Sequence, residues 1–176
     1  MGRRAAPAAV LCADPPWRFK DTLPGPKRGA AKHYPTMSIG ELMLFPLPPL
    51  AKDCTLYLWR CASMQRESLD LIDAWGFQLK SEIVWRKQTS KGNRWFGMGR
   101  RVRNEHEVAL IATRGRPVVR DRSVRSTFEA RVPQNRHSAK PEEFYDLVER
   151  LNAGPYVELF ARRVRPGWTC CGNEVP

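Results

Sequence analysis

No stretch of this 176-residue chain approaches the length of apolar sequence that a membrane-crossing helix needs, about 20 residues. Residues 1–10 are too short, and too interrupted by Pro7, to act as a secretory signal. The chain is therefore expected in the cytoplasm. Cysteine occurs five times but never as C-x-x-C, and the three histidines form no cluster beside it. That excludes the usual zinc spacings, and no metal is expected. An odd cysteine count in a chain without a signal also argues against a disulfide framework. Cys12, Cys54, Cys61, Cys170 and Cys171 read instead as small hydrophobes, four of them in or beside strands. There are no repeats and no low-complexity tails. Acids are scarce: 18 Asp and Glu face 30 Lys and Arg, a net charge of +12.

What is present is enough apolar sequence for one sizeable core, so a single domain over residues 1–176 is the natural count. The most informative segment is Asp14-Pro15-Pro16-Trp17, at the end of the apolar run Ala8–Ala13. A buried strand there delivers a carboxylate, two rigid prolines and an aromatic to its carboxyl edge, where open α/β sheets bind ligands. Proline has a fixed φ and no N–H, so the carbonyl oxygens are held in place as acceptors. An acid, a fixed carbonyl and a stacking surface suit a flat heterocycle bearing an exocyclic amine. A Pro-rich turn with Trp17 in the core accounts for the same residues without a ligand.

Continuous apolar runs predict strands at 8–13, 55–60, 82–86, 108–113, 156–161 and 168–171, as in a sheet covered on both faces. Helical patterns fall between them. Ser38-x-x-Glu41 is a capping box, with Met37 and Leu42 at the staple positions. Met64, Leu71, Ile72 and Trp75 share a face of a second helix that Gly76 ends. Pro141 opens a third as its first helical residue, Phe144, Leu147, Val148 and Leu151 form its core stripe, and Gly154 closes it. The alternation predicts a three-layer α/β fold with a mostly parallel sheet. Three irregular segments interrupt it, at about 18–36, 88–104 and 121–138, and they are expected to be mobile loops around the edge that carries Asp14. Between Arg86 and Arg136, fourteen Lys or Arg face four acids, with Trp95, Phe96, Gly97 and Gly99 interspersed. One-signed charge that neutralises phosphates, with aromatics that stack on bases, is the footprint of a nucleic-acid channel.

Taken together, these segments resemble the MT-A70 family of S-adenosylmethionine-dependent N6-adenine methyltransferases. The resemblance rests on ADPPW at Ala13 to Trp17, YPTMS at Tyr34 to Ser38, LYLWR at Leu56 to Arg60 and EIVWRK at Glu82 to Lys87. It continues through RNEHEVALIATRG at Arg103 to Gly115, HSAKPEEFYDLVERL at His137 to Leu151, VELFAR at Val157 to Arg162 and GWTCCGNE at Gly167 to Glu174. It implies a Rossmann-like methyltransferase fold, helices on both faces of a mostly parallel sheet, with the catalytic motif preceding the cofactor strand. That order explains why no glycine-rich loop follows the first strand. The resemblance makes Asp14, Pro15, Pro16 and Trp17 catalytic. It makes S-adenosyl-L-methionine the cofactor, with Asp14, His137, Lys140, Glu158, Arg162, Asn173 and Glu174 around it. Lys140 and Arg162 would meet the methionine carboxylate or hold the site closed. Glu158 would accept from ribose hydroxyls or bridge to a basic neighbour. Without the family, Lys140 reads as a surface helix cap and Arg162 as a salt-bridge partner of Glu158; His106 is a weaker candidate contact. Larger members carry a further segment before the Asp-Pro-Pro-Trp strand.

The implied chemistry holds the amine hydrogens of adenine on the Asp14 carboxylate and the Pro15 carbonyl, with Trp17 stacked on the base and Arg94, Arg100, Arg101 and Arg103 on the flanking backbone. The base must first leave its helical stack. Small, basic, stand-alone members of bacterial and phage type favour DNA as the partner, in the cytoplasm of a bacterial or phage-infected cell. The same reaction on RNA, a non-catalytic nucleic-acid-binding subunit, and methylation of cytosine or glutamine are the alternatives. Family members pair with themselves or with a relative.

Overall fold

The computed structural model describes residues 6–18, 35–97, 99, 101–134, 139–172 and 175. In chain order they form β1 (Ala8–Ala13), α1 (Ile39–Met43), β2 (Leu50–Arg60), α2 (Gln65–Ala74), β3 (Gln78–Gln88), β4 (His106–Arg114), β5 (Thr127–Arg131), α3 (Glu142–Leu151), β6 (Tyr156–Leu159) and β7 (Trp168–Cys171). The strands make one seven-stranded sheet in the order β5-β3-β4-β2-β1-β6-β7. β4 runs antiparallel to both of its neighbours, β2 and β3. Every other pairing in the sheet is parallel. This is a Rossmann-like sheet, as expected.

The continuous apolar runs are explained by two cores. Leu11, Ala13, Leu56, Leu58 and Leu110 pack with Leu42 of α1 and Leu71 and Ile72 of α2. Their sequence neighbours Val10, Cys12, Tyr57, Trp59 and Ala109 face the other way, onto Phe144, Tyr145 and Val148 of α3. A strand with both faces covered has no solvent side on which to alternate polar residues. The helices therefore lie on both faces, as expected. The Ser38–Glu41 capping box is formed, its side chains reciprocating across the first turn of α1. α2 ends in a Schellman motif: Gly76, at φ 77°, donates to Asp73, and Phe77 donates to Ile72.

Several boundaries differ from the sequence pattern. Pro141 is the N-cap of α3 rather than its first helical residue, and Asn152, not Gly154, ends that helix. The expected strand 156–161 stops at Leu159, because Phe160 turns into the left-handed region at φ 59°. The stretch 121–138 is not irregular throughout, since Thr127–Arg131 adds β5 to the edge of the sheet beside β3. Its polar outer residues hide the pattern, as an edge strand needs only one buried position, here Ala130. Among the described residues no helix is long and apolar enough to cross a membrane.

Candidate active site

Strand direction brings the carboxyl ends of β1, β2, β3, β5, β6 and β7 to one edge. β4 runs the other way, so its amino end joins them, with Arg86 opposite His106. Asp14 follows β1 directly and sits at the centre of this edge. The turn after it is pinned by its own backbone. Trp17 N–H donates to the Pro15 carbonyl (2.8 Å), Met37 N–H to the Pro16 carbonyl (2.8 Å) and Arg18 N–H to Met37 (2.9 Å). Each of the two proline oxygens thus accepts one backbone N–H, and each, Pro15 included, keeps one lone pair for a ligand.

Trp17 does not present a stacking face. It is buried in the core, and its indole N–H donates to the Trp59 carbonyl at 3.1 Å. The expectation that it stacks on the target base is corrected: the ring anchors the Asp-Pro-Pro turn to the end of β2. Burial with a satisfied N–H is the ordinary arrangement for a core tryptophan.

Lys140 is not a surface cap. Its side chain is 5% exposed, and its ammonium meets Asp14 Oδ2 at 2.7 Å and Glu107 Oε2 at 3.2 Å. It also lies over the Trp59 ring, 5.0 Å from the centroid. Glu107 in turn pairs with Lys87. Four charges of alternating sign therefore cross the edge from β1 to β3. Burial pushes the Glu107 carboxyl up, but Lys140 and Lys87 outweigh it and bring the pKa down to about 2. The two carboxylates likewise outweigh burial at Lys140 and raise its pKa. Asp14 Oδ1 makes no hydrogen bond among the described residues.

Glu158, on β6, is neither on a basic partner nor in solvent. Its Oε1 accepts from Tyr145 Oη at 2.6 Å, while Oε2 is buried with no partner among the described residues. Burial lifts its pKa to about 7. Among the described residues the Tyr145 phenol, not Arg162, is the partner of Glu158. Phe160 and Arg162 follow, and with Asp14, Lys140, Tyr145 and Glu158 they line a cavity of about 20 Å³. Non-glycine residues at positive φ cost roughly 1–2 kcal/mol and gather at functional sites, as Phe160 does here. Asp14, Phe160 and Arg162 also border a cleft of about 700 Å³, with Pro16, Met37 and Phe45, within the range of small-molecule sites. Cys171 also lines it and is exposed, so this cysteine is not core filler.

Arg94, Arg101 and Arg103 lie on the connection between β3 and β4 at the same edge, all exposed. Phe96 beside them is 69% exposed, with the Arg103 guanidinium 5.0 Å from its ring centre. Gly97 and Gly99 are required there, because a Cβ on either would run into the main chain of Asn104 or Val102. His137, Asn173, Glu174 and Arg100 lie outside the described residues. Sequence reasoning named no role for Glu107, Lys87 or Tyr145. The alternation of Lys87, Glu107 and Lys140 within the quoted segments was the available signal, but only strand order joins them.

A family model described as MT-A70 matches residues 8–174. The N(6)-adenosine-methyltransferase MT-A70-like protein of Drosophila melanogaster is 30% identical over 95% of this chain, which spans 27% of that protein's length. The N(6)-adenosine-methyltransferase catalytic subunit METTL3 of Homo sapiens is 31% identical over 95% of the chain, which spans 28% of it. The type II methyltransferase M.MunI of a Mycoplasma species is 30% identical over 95% of the chain, which spans 77% of that protein.

Proposed function

The chain belongs to the MT-A70 family, and on that premise we propose that it methylates the exocyclic N6 amine of adenine in DNA, with S-adenosyl-L-methionine as methyl donor. One observation carries the reading. Asp14 is anchored through Oδ2 to a buried lysine, its Oδ1 accepts no hydrogen bond among the described residues, and it lines a cleft of about 700 Å³. A carboxylate so placed accepts a hydrogen from the amine, and the remaining lone pair of the Pro15 carbonyl accepts the second. Both contacts favour a tetrahedral nitrogen and free its lone pair from the ring. Positioning and fixed electrostatics then supply most of the acceleration.

The residues present fit the cofactor. The unpartnered buried oxygen of Glu158 and the basic groups of Lys140 and Arg162 border the small cavity, a donor and acceptor set suited to an amino acid's charged ends. Its bound sulfonium would supply an electrophilic methyl group. Lys140 holds Asp14 in place, and Glu107 with Lys87 holds Lys140. His137, Asn173 and Glu174 complete the proposed cofactor contacts, and Arg94, Arg100, Arg101 and Arg103 hold the backbone beside the target. The preference for DNA rests on the likeness to the type II methyltransferase, 30% identical over 95% of the chain, and on the net charge of +12.

The test is to incubate the protein with labelled cofactor and separate DNA and RNA pools, then identify the modified nucleoside by mass spectrometry. N6-methyladenine in DNA is the expected product. Label in RNA alone moves the substrate, and no label in either pool removes the activity.

A further inference from the structure

The basic stretch that reads as one channel in the sequence is divided by the fold. Arg94, Arg101 and Arg103 stand at the carboxyl edge, but β4 then carries the chain through nine residues to Arg114, about 27 Å away at roughly 3.4 Å per residue. From there residues 115–122 run along the opposite edge, and residues 123–126 climb back beside β3 to β5, where Ser126 is level with Val84. This segment is held at several points. Arg116 N–H donates to Asp53 Oδ1 at 2.7 Å, Arg120 N–H to the Leu151 carbonyl at 2.9 Å and Val84 N–H to the Ser126 carbonyl at 2.8 Å. Its one acid, Asp121, is taken by Ser123 and by Arg150 at 2.6 Å. Arg116, Arg122 and Arg125 are exposed and form no ion pair among the described residues. An anchored main chain that displays unpaired guanidinium groups of one sign is suited to a polyanion.

We propose that residues 115–125 form a second nucleic-acid surface, in which Arg116 and Arg122 at the far edge, with Arg125 on the return to β5, hold backbone phosphates away from the target adenine. The site at the carboxyl edge selects the base, and this surface adds affinity that depends on the length of the nucleic acid. Its choice of partner rests on the reading above, but its geometry does not require methyl transfer. Nucleic acid is favoured over an acidic protein because phosphates recur at a fixed spacing along a backbone, and arginine pairs with them bidentately.

The test compares wild type with an Arg116→Gln, Arg122→Gln, Arg125→Gln triple variant by fluorescence anisotropy at several salt concentrations. One probe is a DNA hairpin with a stem of about 8 base pairs, and the other a duplex of roughly 40, each with a central adenine target; at 3.4 Å per pair only the longer reaches past the far edge. Arg101→Gln serves as the comparison at the active edge. The triple variant should bind the hairpin as wild type does and the long duplex about tenfold more weakly, its log K against log salt slope shallower by about 3, at roughly 0.9 per phosphate contact. Arg101→Gln should weaken both probes alike. An unchanged slope on the long duplex, or equal weakening on both probes by the triple variant, overturns the surface. Lost binding of polyglutamate with unchanged duplex binding also overturns it, in favour of an acidic protein. Length-dependent binding by a wild type that transfers no methyl group supports the surface and sinks the proposed activity instead. An unaltered melting midpoint in the variant excludes misfolding as the cause.

Discussion

Glu107 and Glu158 are glutamates at the same sheet edge, yet the protein drives them in opposite directions. Glu107 lies between Lys140 and Lys87 and its pKa is held near 2. Glu158 has a phenol on one oxygen and nothing on the other, and burial raises it to about 7. On the Glu107 side, cations on both flanks make a compensated chain that holds Asp14 in place. On the Glu158 side the compensation is incomplete, which leaves a buried acceptor for a bound molecule. Two titratable groups pushed apart by their environments are a common mark of a reactive site.

The largest expected effect lies with the residue between the two regions. Asp14→Ala should lower methyl transfer by at least about 10³-fold, read from initial rates under saturating cofactor. Lys140 retains Glu107, so the fold should persist, with a melting midpoint only a few degrees lower. Wild-type rates in that variant would remove the proposed chemistry. Next is the keystone of the compensated side. Lys140→Met leaves two carboxylates without their shared cation, and unfolding free energy should fall by about 3 kcal/mol, measured by urea denaturation. A change below about 1 kcal/mol would mean that the charges are not coupled as the distances indicate.

The anchor under the turn is a smaller effect. Trp17→Phe keeps an aromatic ring but loses the hydrogen bond to Trp59, so about 1 kcal/mol of stability should go, with KM for nucleic acid unchanged. A raised KM without loss of stability would restore the base-stacking role. The smallest effect sharpens the uncompensated side. Because the Glu158 pKa is raised in the folded state, its contribution to stability is present below about 4.5 and is lost as pH rises through about 7. Glu158→Gln should therefore flatten the stability profile between about pH 4.5 and 7. An identical slope in both proteins would show that the carboxylate is not perturbed.

Much of the fold was legible because its signals are local. Ser38 and Glu41 cap each other three residues apart, and the apolar stripes of α2 and α3 follow helical periodicity. The ADPPW segment placed Asp14 at a strand end, where it is found. β5 was missed because a five-residue edge strand with one buried side chain has no apolar run. The sequence left Trp17 between a stacking platform and a core residue, because an aromatic beside a functional acid serves equally well as either and composition does not distinguish them; burial decides for the core.

By itself the sequence determined the α/β alternation, the acid at the end of the first strand, the start of α1 and the end of α2, and the excess of positive charge. These follow from residue type and short-range spacing, which act before the chain is compact. Tertiary structure alone decided which charges meet. Asp14 and Lys140 are 126 residues apart, and Glu107 reaches them only because β4 is inserted antiparallel beside β2. It also decided that one basic stretch is divided between two edges of the sheet. Coulomb energy depends on distance and burial, and both are set by strand order and direction rather than by position along the chain.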